Sequence, residues 1–208
     1  MSPSASDSAT RILFRVILAT LLLLFAISST ACYSSSSTPE IVRLGVLAPF
    51  EGRHREIGYQ IVFGVRLAVQ EWNRGEASQD YRVEVTSLDD HSGETATERA
   101  VKAFAMEPSV VAVIGWSPEE QVNAAASYLA GEGVLYLTLT ETEIVPVTDD
   151  NDFAQRYRQA NILNQPPGPY SKPAHDTALK VLDEIVSLSD KGDEVSRQSL
   201  LDTFNRSD

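Results

Sequence analysis

Apolar positions along this chain change period in a regular order from residue 41 onward. "IVRLGVLA" (41–48) is a continuous β-branched and apolar run, the pattern of a buried strand. A turn-rich stretch follows, with Pro49, Gly52 and Gly58. Ile61, Val65, Ala68 and Trp72 then recur at helical spacing, which predicts a helix over 59–73 with Gly75 as its stop. "YRVEVTSLD" (81–89) alternates with period two and predicts a second strand. "GETATERAVKAFAM" (93–106) predicts a second helix, with Glu98 and Lys102 placed to pair one turn apart. A third strand at 110–115, a third helix at 118–130 and a fourth strand at 134–140 complete the regular part.

Strands and helices that alternate through short loops imply right-handed crossovers and a parallel sheet with helices on both faces. Such a sheet binds ligands beyond the carboxyl ends of its strands, so the loops to watch are 49–58, 89–93, 115–119 and 140–146. The pattern then changes. Residues 145–152 are polar and turn-like, 153–162 predict a short helix, and 164–173 form a proline-rich break. Two helices, over 174–189 and 194–204, end the chain, with no later strand and no internal repeat in the pattern.

The amino-terminal segment has a different character. Arg11 and Arg15 precede an apolar run, "VILATLLLLFAI" (16–27), and Ser28, Ser29, Thr30 and Ala31 follow it. This is the layout of a secretory signal, and the run is shorter than the ~20 apolar residues needed to span a bilayer. Cys32, the one cysteine of the chain, comes immediately after. "SSTAC" resembles a bacterial lipobox, in which the cysteine is lipidated, although Ser29 stands where Leu is usual. The alternative is ordinary cleavage after Ala31, which would leave a free thiol. The expected organisation is therefore a signal peptide over 1–31, a Ser-rich tether over 32–40 and a folded domain over 41–208. That places the domain in the bacterial cell envelope, held to the membrane at Cys32.

The composition, 43% hydrophobic and 22% charged, is that of a globular protein able to bury a core. Seventeen Lys and Arg against twenty-nine Asp and Glu give a net charge of −12, and the basic residues are scattered along the chain. That balance repels a phosphate backbone and argues against nucleic acid as a partner.

Gly115-Trp116-Ser117-Pro118-Glu119 has the look of a nucleophile elbow, but Glu119 replaces the second glycine. Pro118 has no N–H to offer an oxyanion. Ser117, Pro118 and Glu120 read instead as a capping box at the start of a helix. There is no glycine-rich phosphate loop, and Glu119 and Glu120 at the helix start would repel an anion. Asp89, Asp90 and His91 match no metal-ligand spacing and read as a turn with a helix start. "TDDND" (148–152) lacks the Gly and terminal Glu of a calcium loop. His54 and His175 stand isolated in sequence, and Trp72 reads as core. Trp116, at a strand's carboxyl end, is a better candidate than Trp72 for a ligand-facing aromatic, and a packing role fits it equally well. No metal or other cofactor is expected.

Several segments taken in order, "VRLGVLAPFEG", "GYQIVFGVRLAVQEWN", "SLDDHSGETATERAVKAF", "VVAVIGWSPEEQVNAAASYLAGEGVLYLTLTET" and "NQPPGPYSKPAHDTALKVLDEI", resemble the type I periplasmic binding proteins. The resemblance is to the leucine/isoleucine/valine-binding branch that serves ABC transporters. It implies a Rossmann-like α/β lobe. Family members have two similar lobes with the ligand clamped between them. Here residues 140–159 lead from the end of the first lobe's sheet almost directly to the late proline-rich segment, so the second lobe is expected to be missing. The resemblance implies ligand contacts at Ser117, Glu119, Glu141 and Thr142, and Trp116 joins them by its strand-end position alone. Glu119 and Glu141 stand where small residues are expected, which turns the expectation from an amino acid's carboxylate toward a cationic or neutral ligand.

The function expected is that of an exported, lipid-anchored, non-catalytic solute-binding protein for an amino acid or related small polar molecule. An ABC permease or a separate second lobe would be its protein partner. The alternatives are a non-catalytic interaction protein that docks a partner on the exposed cleft face, and a truncated receptor without ligand binding.

Overall fold

The structure is a computed structural model, and it describes residues 39–75, 80–90, 93–116, 119–139 and 152–207, the side chains of 119–122 and 207 excepted. Four strands, β1 (Glu40–Ala48), β2 (Tyr81–Asp89), β3 (Val110–Gly115) and β4 (Leu135–Thr138), form one sheet in the order β2-β1-β3-β4. Every pairing is parallel. β1 and β2 run in register from Glu40 opposite Tyr81 to Ala48 opposite Asp89. The β1–β3 register shifts once, between Arg43 and Leu44.

A 3-10 turn (Gly52–His54) leads into α1 (Arg55–Trp72), which links β1 to β2. α2 (Glu94–Met106) and α3 (Glu119–Gly131) link the later strands. α4 (Asp152–Ala160), α5 (Ser171–Lys191) and α6 (Arg197–Ser207) follow. The expected α/β class, a parallel sheet with helices on both faces, is the class observed.

Alternation along β1 divides the core. Val42, Leu44, Val46 and Ala48 face a cluster built with α1, α5 and α6, while Leu47 joins a separate cluster with α2 and α3. α1 is buried along most of its length because it lies between the sheet and α5. The two helices meet at Gly64, where a Cβ would fall 2.3 Å from the Ser171 carbonyl oxygen. Only a residue without a side chain allows that approach.

Three helix starts differ by three residues or more from the sequence pattern, among them α6, which begins at Arg197 rather than 194. α1 begins at Arg55 rather than 59, with Gly58 inside it. Gly58 is a contact glycine and not a turn: a Cβ there would lie 1.9 Å from the Pro49 carbonyl oxygen. α5 begins at Ser171 rather than 174, because a proline in the first turn, here Pro173, breaks no helical hydrogen bond. The predicted Glu98–Lys102 pair forms.

β2 lies at one end of the sheet. The Val83 N–H donates to Asn73 Oδ1 at 3.1 Å, and Asn73 Nδ2 donates to the Val83 carbonyl at 2.7 Å. A side-chain amide thus takes the place of a further strand at that point.

Candidate functional site

The carboxyl end of the sheet is levelled by three backbone bonds. Trp116 N–H donates to Leu47 O at 3.0 Å, Leu139 N–H to Gly115 O at 2.9 Å, and Asp90 N–H to Ala48 O at 3.4 Å. From β1 the chain moves through α1 to one side of the sheet, and from β3 through α3 to the other. The strand order therefore reverses between β1 and β3. In open α/β sheets such a reversal marks the crevice beyond the strand ends where ligands bind. Trp116 sits on it, bonded through its own backbone to the last turn of β1.

Aromatic rings converge there. The Trp116 indole, 7% exposed, lies 5.5 Å from the His54 ring and 6.1 Å from Tyr170, edge to face. Phe50 and Tyr59 add a second pair at 6.1 Å. His54 comes from the turn before α1, Trp116 from the end of β3, and Tyr170 from the residue before α5. Three separate stretches of chain thus build one wall. The wall is closely packed, with Trp116 7% and Tyr170 6% exposed, and its polar groups are the imidazole and the phenol.

Acidic groups flank it. Asp89 Oδ1 accepts the Phe50 N–H at 3.1 Å, which pins the loop leaving β1. Asp90 is fully buried, and its carbonyl accepts the Gly93 N–H at 2.9 Å in the turn that starts α2. Burial first, and the Asp90 charge second, push the Tyr136 hydroxyl well above its ordinary range. Among the described residues, no group of three His, Cys, Asp or Glu could hold a metal ion.

Of the residues expected at the site, Trp116 lies on the crevice. Its ring is largely covered, so it acts as backing for the wall as well as lining. Glu119 opens α3, with its side chain outside the described residues. Ser117, Glu141, Thr142, Cys32, His91, most of the 148–152 stretch and the Ser117–Pro118–Glu120 cap also lie outside the described residues or side chains.

Two expectations are corrected. His54 is not isolated, because it meets Trp116. His175 is not isolated either, because its ring bonds carboxylates of Glu71 and Asp176 away from this edge. The residues missed were His54, Tyr170 and Phe50. A histidine in the loop after the first strand was the one available signal.

A family model described as "Periplasmic binding protein" matches residues 41–182. No curated protein matches the chain. Among solved structures, the chain is similar to an ABC transporter substrate-binding protein from Desulfitobacterium hafniense in complex with Leu. Identity there is 27%, over 48% of this chain and 28% of that one, with a TM-score of 0.42. It is also similar to a possible leucine/isoleucine/valine-binding protein from Rhodopirellula baltica SH 1, at 17% identity over 48% and 28% with a TM-score of 0.44. A solute-binding protein of an ABC transporter from Rhodopseudomonas palustris BisB5, in complex with 3,4-dihydroxy benzoic acid, is 11% identical over 77% and 84%, with a TM-score of 0.47. The chain covers 28% of the length of each of the first two.

Proposed function

The chain belongs to the periplasmic binding protein family, and from that premise we propose that it is an exported solute-binding protein of the ABC-transporter type. It takes a small polar ligand, an amino acid or a related and cationic molecule, at the carboxyl ends of the strands. The observation that carries this reading is the wall of Trp116, His54 and Tyr170 at the strand-order reversal. Ser117, Glu119, Glu141 and Thr142 are assigned to ligand contact on the strength of the family resemblance alone. The role is binding rather than catalysis.

In the same proposal residues 1–31 are a signal peptide, 32–40 a tether lipid-anchored at Cys32, and 41–208 the folded domain, with an ABC permease as the protein partner. Membrane fractionation of a Cys32→Ser variant tests the anchor: release into the soluble fraction is expected, and retention removes Cys32 from that role.

A thermal-stability scan against amino acids and polyamines tests the binding role. A ligand at about 100 times its Kd stabilises the native state by about 2.7 kcal/mol, so at least one member should raise the Tm measurably. A flat response across the panel at millimolar concentration would sink this reading.

A second reading has one observation in its favour. Ile162 and Leu163, 84% and 48% exposed, sit in the turn that leads from α4 toward Tyr170. That turn is fixed by Asn161, whose Oδ1 accepts the Leu163 N–H at 2.8 Å. An apolar tip held outward between α4 and α5 suits docking of another protein chain. A stability scan without any response, together with a salt-insensitive complex lost in Ile162→Asp, would favour this reading.

A further inference from the structure

The most constrained histidine among the described residues lies away from the crevice, where α1, α4 and α5 meet. His175 on α5 is 4% exposed. Its Nε2 is 3.1 Å from Glu71 Oε2 on α1, and its Nδ1 is 3.1 Å from Asp176 Oδ1 on α5. Phe153 of α4 closes one side, edge to face at 5.2 Å.

A neutral imidazole has one N–H and one lone pair. It can donate to one of these carboxylates, but it must then turn a lone pair toward the other. Both contacts are hydrogen bonds only when the ring carries a proton on each nitrogen.

The charges around the ring form a chain. On α4, Arg156 pairs with Glu71 and with Asp152, the latter at 2.8 Å. On α5, Lys172 pairs with Asp176 at 2.5 Å. Burial raises the Glu71 carboxyl, yet hydrogen bonds from Arg156 and His175 outweigh it and hold the group below its ordinary range. Asp176 is likewise raised by burial and lowered further by Lys172 and His175. Lys172, Asp176, His175, Glu71, Arg156 and Asp152 thus alternate in sign across three helices.

We propose that His175 is a pH-sensitive latch that fastens α4 to α1 and α5 while its ring is doubly protonated, and loosens α4 when the ring loses a proton. Deprotonation replaces one hydrogen bond by a lone pair facing a carboxylate, on a ring that is itself only 4% exposed. Glu71 remains the link between His175 and Arg156, so the defect reaches α4 directly. The latch contributes stability while both ring nitrogens carry protons, and that contribution is lost as pH rises. The carboxylates set the opposite limit. Glu71 and Asp176 are depressed, so their contribution is present above the ordinary carboxylate range and is lost as pH falls through it.

Thermal unfolding of the full chain at about pH 5.5 and about pH 8.5, either side of ordinary histidine titration, tests the latch. Wild type, His175→Gln and Asp176→Asn are compared. Wild type should lose about 2–4 °C more of its Tm at the upper pH than His175→Gln does. His54 and His91 are present in all three proteins, so their contributions cancel.

Asp176→Asn keeps the histidine but faces Nδ1 with an amide that can donate to a bare nitrogen. It should lower the pH dependence too, and it carries the test if His175→Gln does not fold. Hydrogen exchange, corrected for its intrinsic pH dependence, should show α4 amides losing protection at the upper pH in wild type alone. Equal pH slopes in wild type and both variants would overturn the latch. So would a nitrogen spectrum showing a single N–H on His175 in the folded protein at the lower pH.

Discussion

On one face of the sheet α1 lies between the strands and a further helix, α5, and the cluster there draws on β1, β2, β3, β4 and four helices. On the other face α2 and α3 lie directly on the strands with nothing described outside them, around a smaller cluster centred on Phe104, Val113 and Leu129. A groove of about 530 Å³ runs between these two helices, floored by Val101, Ala125 and Tyr128 and edged by Glu94 and Glu98. The same strands are therefore packed two layers deep on one side and one layer deep on the other. A side chain in the deep layer is backed by a second layer of helix; one in the smaller cluster is not, among the described residues. Depth of packing, more than burial of any single residue, should set the cost of a defect.

The sharpest way to break this comparison is to remove equal atoms from each side. Leu182 on α5 and Leu129 on α3 are both fully buried. Leu→Ala in a core costs about 2–5 kcal/mol, more where the cavity cannot collapse. Leu182→Ala should fall in the upper half of that range and Leu129→Ala in the lower half, as read from denaturant midpoints at constant m. Equal losses would mean that the groove gives no relief and that the two faces are equally rigid.

A smaller effect is expected from adding atoms where α1 meets α5. Gly64→Ala places a methyl against the backbone of Ser171, and overpacking of this kind costs about 1–3 kcal/mol. The variant should fold, with lowered Tm and with hydrogen exchange faster in α5 but unchanged in α2. An unchanged Tm would show that the α1–α5 contact is loose, and the two-layer account would fail.

The contrast also explains what the sequence could reveal. β1, β2, β3 and α2 were legible because each is a local pattern: an apolar run, an alternation, a helical stripe with its i, i+4 pair. α1 was legible as a helix, but its burial on nearly all sides was not, because the covering helix lies far along the chain. Gly58 misled for the same reason. In sequence a glycine near Pro49 and Gly52 reads as a turn, whereas its purpose is to admit the Pro49 carbonyl.

Trp116 was legible from its place after a strand. Its partners His54 and Tyr170 were not, since only the folded chain brings three distant stretches to one wall. His175 reads as isolated next to Asp176 until α1 supplies Glu71.

The smallest of these effects tests whether the two faces are mechanically separate. Arg197, on α6, belongs to an element packed on the deep side, yet its guanidinium closes the end of α2 on the other. It donates to the carbonyls of Phe104 and Ala105 at 3.0 Å each, to Val110 at 2.9 Å and to Glu107 at 2.6 Å. These include last-turn carbonyls that a helix leaves without partners, and the positive charge also meets the negative end of the helix dipole.

Arg197→Met should cost about 0.5–2 kcal/mol, the range for losing a helix cap. Arg197→Lys should recover little of it, because a single ammonium cannot span four carbonyls as a planar fork does. The decisive readout is where protection is lost. If only the last turn of α2 exchanges faster, the thin face opens on its own. If α1 opens with it, Arg197 ties the two faces into one cooperative unit, and their difference in depth has no consequence for how the domain comes apart.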